Sequence, residues 1–420
     1  KIHGPGRRNR KSQRGMSHSL WKERNEIVTD LSWEAERMKT VPFSAIRKMM
    51  ERAQQLEKEG KSVIHLEIGR PDFDTPSHIK QATVQALDRG DVHYTSSYGT
   101  LDLREAITDK LKRDNGLEYH PSSEVIVTAG ANEAVFAAIM GTVNPGDEVL
   151  VPDPSWLNYF HCVTMAGGRA VSVPLREGNG FLLDPGEIER VITPRSRMLI
   201  VPTPHNPSGA VLSREDLEAI ATLTCRHGLL VLSDEIYEKL IYGKSKHYSI
   251  GAFPGMRERT LTVNGFSKSY SMTGWRLGYV AAPRELIAIL VRSHMYTVVC
   301  ATSFSQSGAA AAYRGPQDCV EEMRREFARR RELILARLER MRGIGCVEPD
   351  GAFYVFPSVR GLGKSSEEVA AHLLEHALIA TVPGSAFGKH GEGYIRISYA
   401  NSYENISEAM DRMAKSLERF

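Results

Sequence analysis

Short runs of β-branched and aliphatic residues recur through the middle of the chain, at 125–127, 148–151, 170–173, 198–201, 229–232 and 260–263. Between them lie amphipathic stretches of helix length, among them 131–140 and 214–225, the second preceded by Ser213 as an N-cap. Strands that alternate with covering helices predict an α/β fold with a doubly wound, mostly parallel sheet. The pattern places this large domain over residues 71–294. Beyond it the periodicity changes: 321–342 reads as a strongly charged helix, and 351–356 and 394–398 read as alternating strands. Residues 295–420 therefore form a smaller α+β unit, and the segment 31–70, with a helix within 31–60, is expected to join it. The small domain is then drawn from both chain ends.

Composition narrows the class without naming the chemistry. At 420 residues, 41% hydrophobic and 25% charged, the chain fits a soluble globular protein with more than one core. No apolar run reaches the length of a membrane span. The formal charge is +3, yet Lys1, Arg7, Arg8, Arg10, Lys11 and Arg14 carry six positive charges before the first acid, so the rest is net −3. That head, residues 1–30, reads as a disordered or cloning-derived tail rather than a nucleic-acid arm, with Met16 as a plausible start. Five cysteines, Cys162, Cys225, Cys300, Cys319 and Cys346, are odd in number and show no CxxC spacing, which points to a reducing cytoplasm. The fourteen histidines form no HExxH pattern, so no metal is expected. Gly361-Leu362-Gly363-Lys364-Ser365 echoes a phosphate loop, but Ser358 stands where its first glycine is required.

In parallel sheets ligands gather at the carboxyl ends of the strands. Four unusual sites fall there: Gly130-Ala131-Asn132 opening a helix, Asn206 after 198–201, Asp234 after 229–232, and Lys268 after 260–263. Each alone has an ordinary reading: a turn at Gly130, a turn at Asn206-Pro207-Ser208-Gly209, a helix cap at Asp234, a solvated lysine at Lys268. Together they suit one ligand, a phosphorylated pyridine aldehyde, pyridoxal 5'-phosphate. Lys268 would hold the aldehyde as an imine and later move the Cα proton. Asp234 would keep the ring nitrogen protonated, with Tyr237 and Asn206 beside the ring hydroxyl. The helix start at Gly130, Ala131 and Asn132, the Ser267 hydroxyl and the Arg276 guanidinium would take the phosphate, and Trp156 would stack on the ring.

The chain resembles the class I/II aminotransferases of fold-type I, in the branch that holds the aspartate-type enzymes. The motifs are Gly69-Arg70-Pro71-Asp72-Phe73-Asp74-Thr75-Pro76, Tyr94-Thr95 with Gly99 and Leu103-Arg104, Asn206-Pro207-Ser208-Gly209, Asp234-Glu235-Ile236-Tyr237, Ser267-Lys268 through Gly278, and Tyr394-Ile395-Arg396-Ile397-Ser398. The resemblance implies that Arg396 grips the substrate α-carboxylate, that Gly69 lies over the substrate, and that Tyr94 reaches the phosphate of a neighbouring subunit, hence a homodimer. It further implies an L-amino acid and a 2-oxo acid as substrates, with no nucleic acid or membrane as partner. On its own Arg396 reads as an outward residue of a strand. Two positions depart from the pattern: Asn132 stands where some relatives carry a lysine that reads acidic side chains, and Arg70 where many carry glutamate. Arg70 is either an anion reader or a solvated loop charge. The same scaffold also supports elimination, replacement and cyclisation, so a lyase or synthase is the alternative. A cofactor-sensing regulator would need an appended DNA-binding domain, and no helix-turn-helix pattern precedes the body.

Overall fold

The computed structural model describes residues 33–418 and Phe420, and the expected disordered head lies outside them. The chain divides after Pro42 into two units, of which the second is Phe43–Phe420. Of the first, the described part holds a single short 3-10 turn, Glu36–Met38. The second contains the sheet.

Seven strands build that sheet: β1 (Val125–Thr128), β2 (Glu148–Asp153), β3 (Arg169–Pro174), β4 (Ser196–Pro202), β5 (Leu230–Asp234), β6 (Thr260–Gly265) and β7 (Gly278–Ala281). Their spatial order is β1-β7-β6-β5-β4-β2-β3. The pairs β2/β3, β2/β4, β4/β5 and β5/β6 are parallel, while β7 runs antiparallel to both β6 and β1. All six expected strands are present. β7 is additional, a four-residue strand hidden behind the Ser267–Gly278 loop in the linear pattern.

Residue alternation explains why both faces are covered. Leu150, Leu199, Val201 and Val231 enter one core, and Val149, Val151, Met198, Ile200 and Leu232 the opposite one. A strand buried on both faces must be apolar throughout, which is why these runs look continuous rather than alternating. Ser213 caps the Arg214–Arg226 helix in a full capping box with Asp216.

Early and late segments of the second unit meet. Ile64–His65 pairs in parallel with Ile379–Ala380, and Val382–Pro383, Ile395–Ser398 and Tyr354–Val355 form an antiparallel three-stranded sheet. Its core joins Ile64 and Leu66 to Phe327, Ile379, Ile397 and Ile406. The strand expected over 351–356 is confined to Tyr354–Val355, because Gly351 bridges to Ile241 and Ala352 takes a left-handed φ of 59°. Helix Ser303–Arg314 also differs from the expected division at 294/295. Ala309, Ala310, Ala312 and Tyr313 pack with Leu103, Ile107, Val125, Val127 and Tyr279, in the layer of the large sheet. Ser365, in the phosphate-loop-like run, caps helix Ser366–His372 with Glu368. Among the described residues no helix is long and apolar enough to cross a membrane.

Candidate active site

The carboxyl ends of β1, β4, β5 and β6 face a cavity of about 550 Å³ whose other wall comes from residues 46–47, 68–70, Tyr354 and Arg396. It brings together Gly69, Arg70, Ala131, Asn132, Trp156, Asn206, Asp234, Tyr237, Ser267, Lys268, Arg276 and Arg396. Gly130 stands at its edge as the N-cap of helix Ala131–Thr142. Of the site residues singled out in the sequence, Gly130 and Tyr94 lie outside the lining, and Tyr94 is 85% exposed.

Lys268 is buried and donates to the Gly69 carbonyl. Burial, reinforced by the Arg396 and Arg276 charges and only partly opposed by Asp234, lowers its amine to about 8. Among the described residues no carboxylate pairs with it; the Tyr237 and Phe353 rings lie 5.6 and 5.8 Å from its nitrogen. A buried amine so placed is neutral, and hence nucleophilic, over an accessible pH range.

Asp234 ends β5 with its side chain turned into the cavity. Its Oδ2 accepts from the Tyr159 hydroxyl at 2.6 Å and its Oδ1 from the Ile236 amide at 3.2 Å. Burial raises this carboxyl, so it is held in place by hydrogen bonds without a cation against it. The protonated nitrogen of a heterocycle would supply that cation.

The phosphate end is built from a loop and a helix start. Arg276 sits at a left-handed φ of 55° and reaches the Ala129 carbonyl at 3.3 Å. A Cβ at Gly130, itself at φ 86°, would lie 2.6 Å from the guanidinium, so only glycine lets the arginine close over the helix start. No side chain caps that helix. Its free N–H groups, the Ser267 hydroxyl and Arg276 form an anion cradle. The donor set fits a phosphorylated pyridine: an anion site, a carboxylate for a cationic nitrogen and an amine for an aldehyde share one cavity.

Arg396 closes the opposite wall. It is 2% exposed, donates to the Asn206 Oδ1 at 3.1 Å and the Glu67 carbonyl at 2.6 Å, and leaves its Nε without a partner. Buried guanidinium with an open donor is prepared for an anion. The outward-facing reading of this residue is thereby excluded. Tyr237 donates to or accepts from Tyr354 at 2.8 Å, and a Cβ at Gly69 would collide with the Tyr354 hydroxyl.

Sequence reasoning missed Tyr159, Tyr354 and Arg47. Tyr159 lies three positions after Trp156, and the two rings meet edge-on at 5.4 Å, a spacing that signals one shared face. Tyr354 was absorbed into a strand. Among the described residues, Glu235, Glu238 and His247 bring potential ligand atoms within 4.8 Å of one another. That space already holds the Lys110 ammonium, bonded to Glu238, and the Asn115 amide, 2.8 Å from Glu238.

The family profile described as "Aminotransferase class I and II" matches residues 61–413. The chain is 48% identical to an aspartate aminotransferase of Pyrococcus abyssi over 385 residues, 91% of this chain and 98% of that one. It is 46% identical, over the same shares, to aromatic-amino-acid aminotransferase 2 of Thermococcus litoralis. Its fold matches the crystal structure of the Thermus thermophilus aspartate aminotransferase with maleate at a TM-score of 0.87 and 38% identity, covering 91% of this chain and 99% of the other. The chain belongs to the class I and II aminotransferases, the fold-type I enzymes that depend on pyridoxal phosphate.

Proposed function

We propose that this protein transfers the amino group of an L-amino acid to a 2-oxo acid, with pyridoxal phosphate in the cavity and a homodimer as the working unit. The observation that carries the reading is Lys268: a buried amine lowered to about 8, in the same cavity as Asp234, Arg276 and Arg396. When bound, the cofactor supplies the aldehyde that accepts the amino group and a ring that takes up the electron pair of the broken Cα–H bond. Arg276, Ser267 and the amides from Gly130 to Asn132 would hold its phosphate. Asp234, oriented by Tyr159, would face the ring nitrogen, with Asn206 and Tyr237 near the ring hydroxyl and Trp156 against its face.

Arg396 would bind the α-carboxylate through its open Nε and fix which bond of Cα breaks. The neutral Lys268 amine would then take the Cα proton and return it at a different carbon. Gly69 leaves room for substrate beside Tyr354. Tyr94 is exposed and outside its own chain's cavity, which supports the reading that it completes the site of a second subunit. Exposed Leu101, Tyr296 and Val299 support a covered surface in the same assembly.

The holoenzyme, mixed with a panel of amino acids in the absence of any 2-oxo acid, tests this through cofactor absorbance and product identity. Conversion to the aminated cofactor with a matching 2-oxo acid is expected. Release of ammonia or an unsaturated product, or no change with any amino acid, would defeat it.

A further inference from the structure

One buried pair of titratable groups has no part in the proposed transfer. Glu133 lies in the first turn of helix Ala131–Thr142, one residue beyond the segment assigned to the phosphate, and His294 lies in the last turn of helix Arg284–Thr297. His294 is buried, and its Nδ1 is 2.7 Å from Glu133 Oε1. Ala134 and Ala138 of the first helix and Ile287 and Leu290 of the second share one core, which fixes the pair at the back of the phosphate cradle.

The hydrogen bonds of the pair run into that cradle. Glu133 Oε2 accepts from the Ala129 amide at 2.6 Å, while Arg276 donates to the Ala129 carbonyl at 3.3 Å, so residue 129 is held from both sides. Gly130 follows it, with its amide donating to the Thr128 carbonyl and its carbonyl accepting from the Thr128 hydroxyl. The turn is thereby closed on itself, and the first two amides of the helix, those of Ala131 and Asn132, are left for an anion. His294 Nε2 has no partner. A proton there would be buried without an acceptor, so the ring carries its proton on Nδ1 and donates it to Glu133. That donation turns back an acid which, left free in the first turn, would compete with a phosphate for the helix start.

We infer that Glu133, oriented by His294, is a positioning residue of the phosphate site: it fixes the turn at 128–130 so that the Ala131 and Asn132 amides and the Arg276 guanidinium converge on one anion. This deepens the proposed function and rests on its placement of the cofactor phosphate in that cradle. Neither side chain touches the cofactor. Their effect passes through the Ala129 backbone, and it falls on the phosphate rather than on the ring.

The test is equilibrium binding of pyridoxal 5'-phosphate and of unphosphorylated pyridoxal to the full chain after removal of its cofactor, followed by absorbance. Glu133→Ala should lower the preference for the phosphorylated form by about tenfold, the worth of one charge-assisted hydrogen bond, with pyridoxal affinity nearly unchanged. His294→Leu should lower the preference in the same direction, and His294→Gln, whose amide can still donate to Glu133, should keep most of it. If Glu133→Ala does not fold, the two His294 variants decide. Equal weakening of both cofactor forms marks a pair that serves the fold alone and overturns the inference, as does an unchanged preference in Glu133→Ala or, where that variant is lost, in His294→Leu. Arg276→Gln separates this failure from that of the underlying reading. Loss of the preference there but not on changing Glu133 or His294 sinks only the positioning role, whereas a preference that survives Arg276→Gln places the phosphate elsewhere and overturns both.

Discussion

Two buried lysines of the large domain have opposite surroundings. Lys110 ends helix Leu101–Lys110 and is bonded to Glu238 and, at 2.7 Å, to Asn115 Oδ1. Burial pushes the Glu238 carboxyl up, but Lys110, His247 and Lys239 together bring it down to about 2, so it is anionic at every ordinary pH. Asn115 also reaches Glu235, which accepts from Ser249 at 2.6 Å and His247 at 2.9 Å. Lys268, partly open to the cavity, meets a carbonyl and two aromatic rings. The protein thus neutralises one interior cation and leaves the other without a counter-ion. Burial pushes the Lys110 amine down as it does that of Lys268, but at Lys110 the Glu238 carboxylate in contact opposes the shift and the pair serves the fold, whereas Lys268 has no such partner and can react. The two networks share a segment, since Asp234 and Tyr237 face the cavity while Glu235 and Glu238 face Lys110. The ion network therefore anchors the strand end from which Asp234 projects.

Exchanging the roles of the lysines would break this contrast, and the largest effect is expected at Lys268. Lys268→Ala should lower turnover by about 10⁴-fold or more, because nucleophile and proton carrier are lost together. It should also bind pyridoxal phosphate without a covalent link, seen as no label after borohydride reduction, while the melting temperature of the cofactor-free protein stays the same or rises. Lys110→Met should do the reverse in kind: a loss of about 3–5 kcal/mol of stability, since Glu238 is left as an uncompensated buried charge. Thermal or urea unfolding measures this, and adding Glu238→Gln should restore a large part. Equal destabilisation by both lysine substitutions would erase the distinction.

The smallest effect is in pH. The free Lys268 amine, lowered to about 8, is protonated below that value and neutral above it, so covalent capture of pyridoxal phosphate by the cofactor-free protein should rise with pH. From pH 7 to 8 the neutral fraction grows about fivefold and then levels off. An ordinary lysine would keep gaining rate toward its usual value of 10.5. Stopped-flow absorbance across pH 6 to 10 separates the two curves.

Much of this was legible along the chain, for a definite reason. Period-two burial on both faces writes strands as apolar runs, and residues just after such runs must lie at one rim of a parallel sheet. Order alone places Lys268, Asp234, Asn206 and Gly130 at one rim, and the first three line one cavity with Gly130 at its edge. β7 is not legible, because four residues after a strained loop give no period, and the packing of helix Ser303–Arg314, which lies within 295–420 yet joins the large-sheet layer, is not legible because its small residues do not announce which surface they pack on. Tyr159 and Tyr354 became visible only through their hydroxyl partners, Asp234 and Tyr237.

What the linear order determined was the scaffold and the types of reactive group brought to its rim, because local periodicity and strand endings are properties of neighbouring residues. Charge state was decided elsewhere. Whether a lysine or arginine is neutralised depends on residues far away in the chain: Lys110 meets the Glu238 carboxylate across 128 positions, whereas Arg396 meets only the Glu67 backbone carbonyl across 329. Only the folded chain sets those distances, and in a medium of low dielectric they alone determine which cation is structural and which remains open to a ligand.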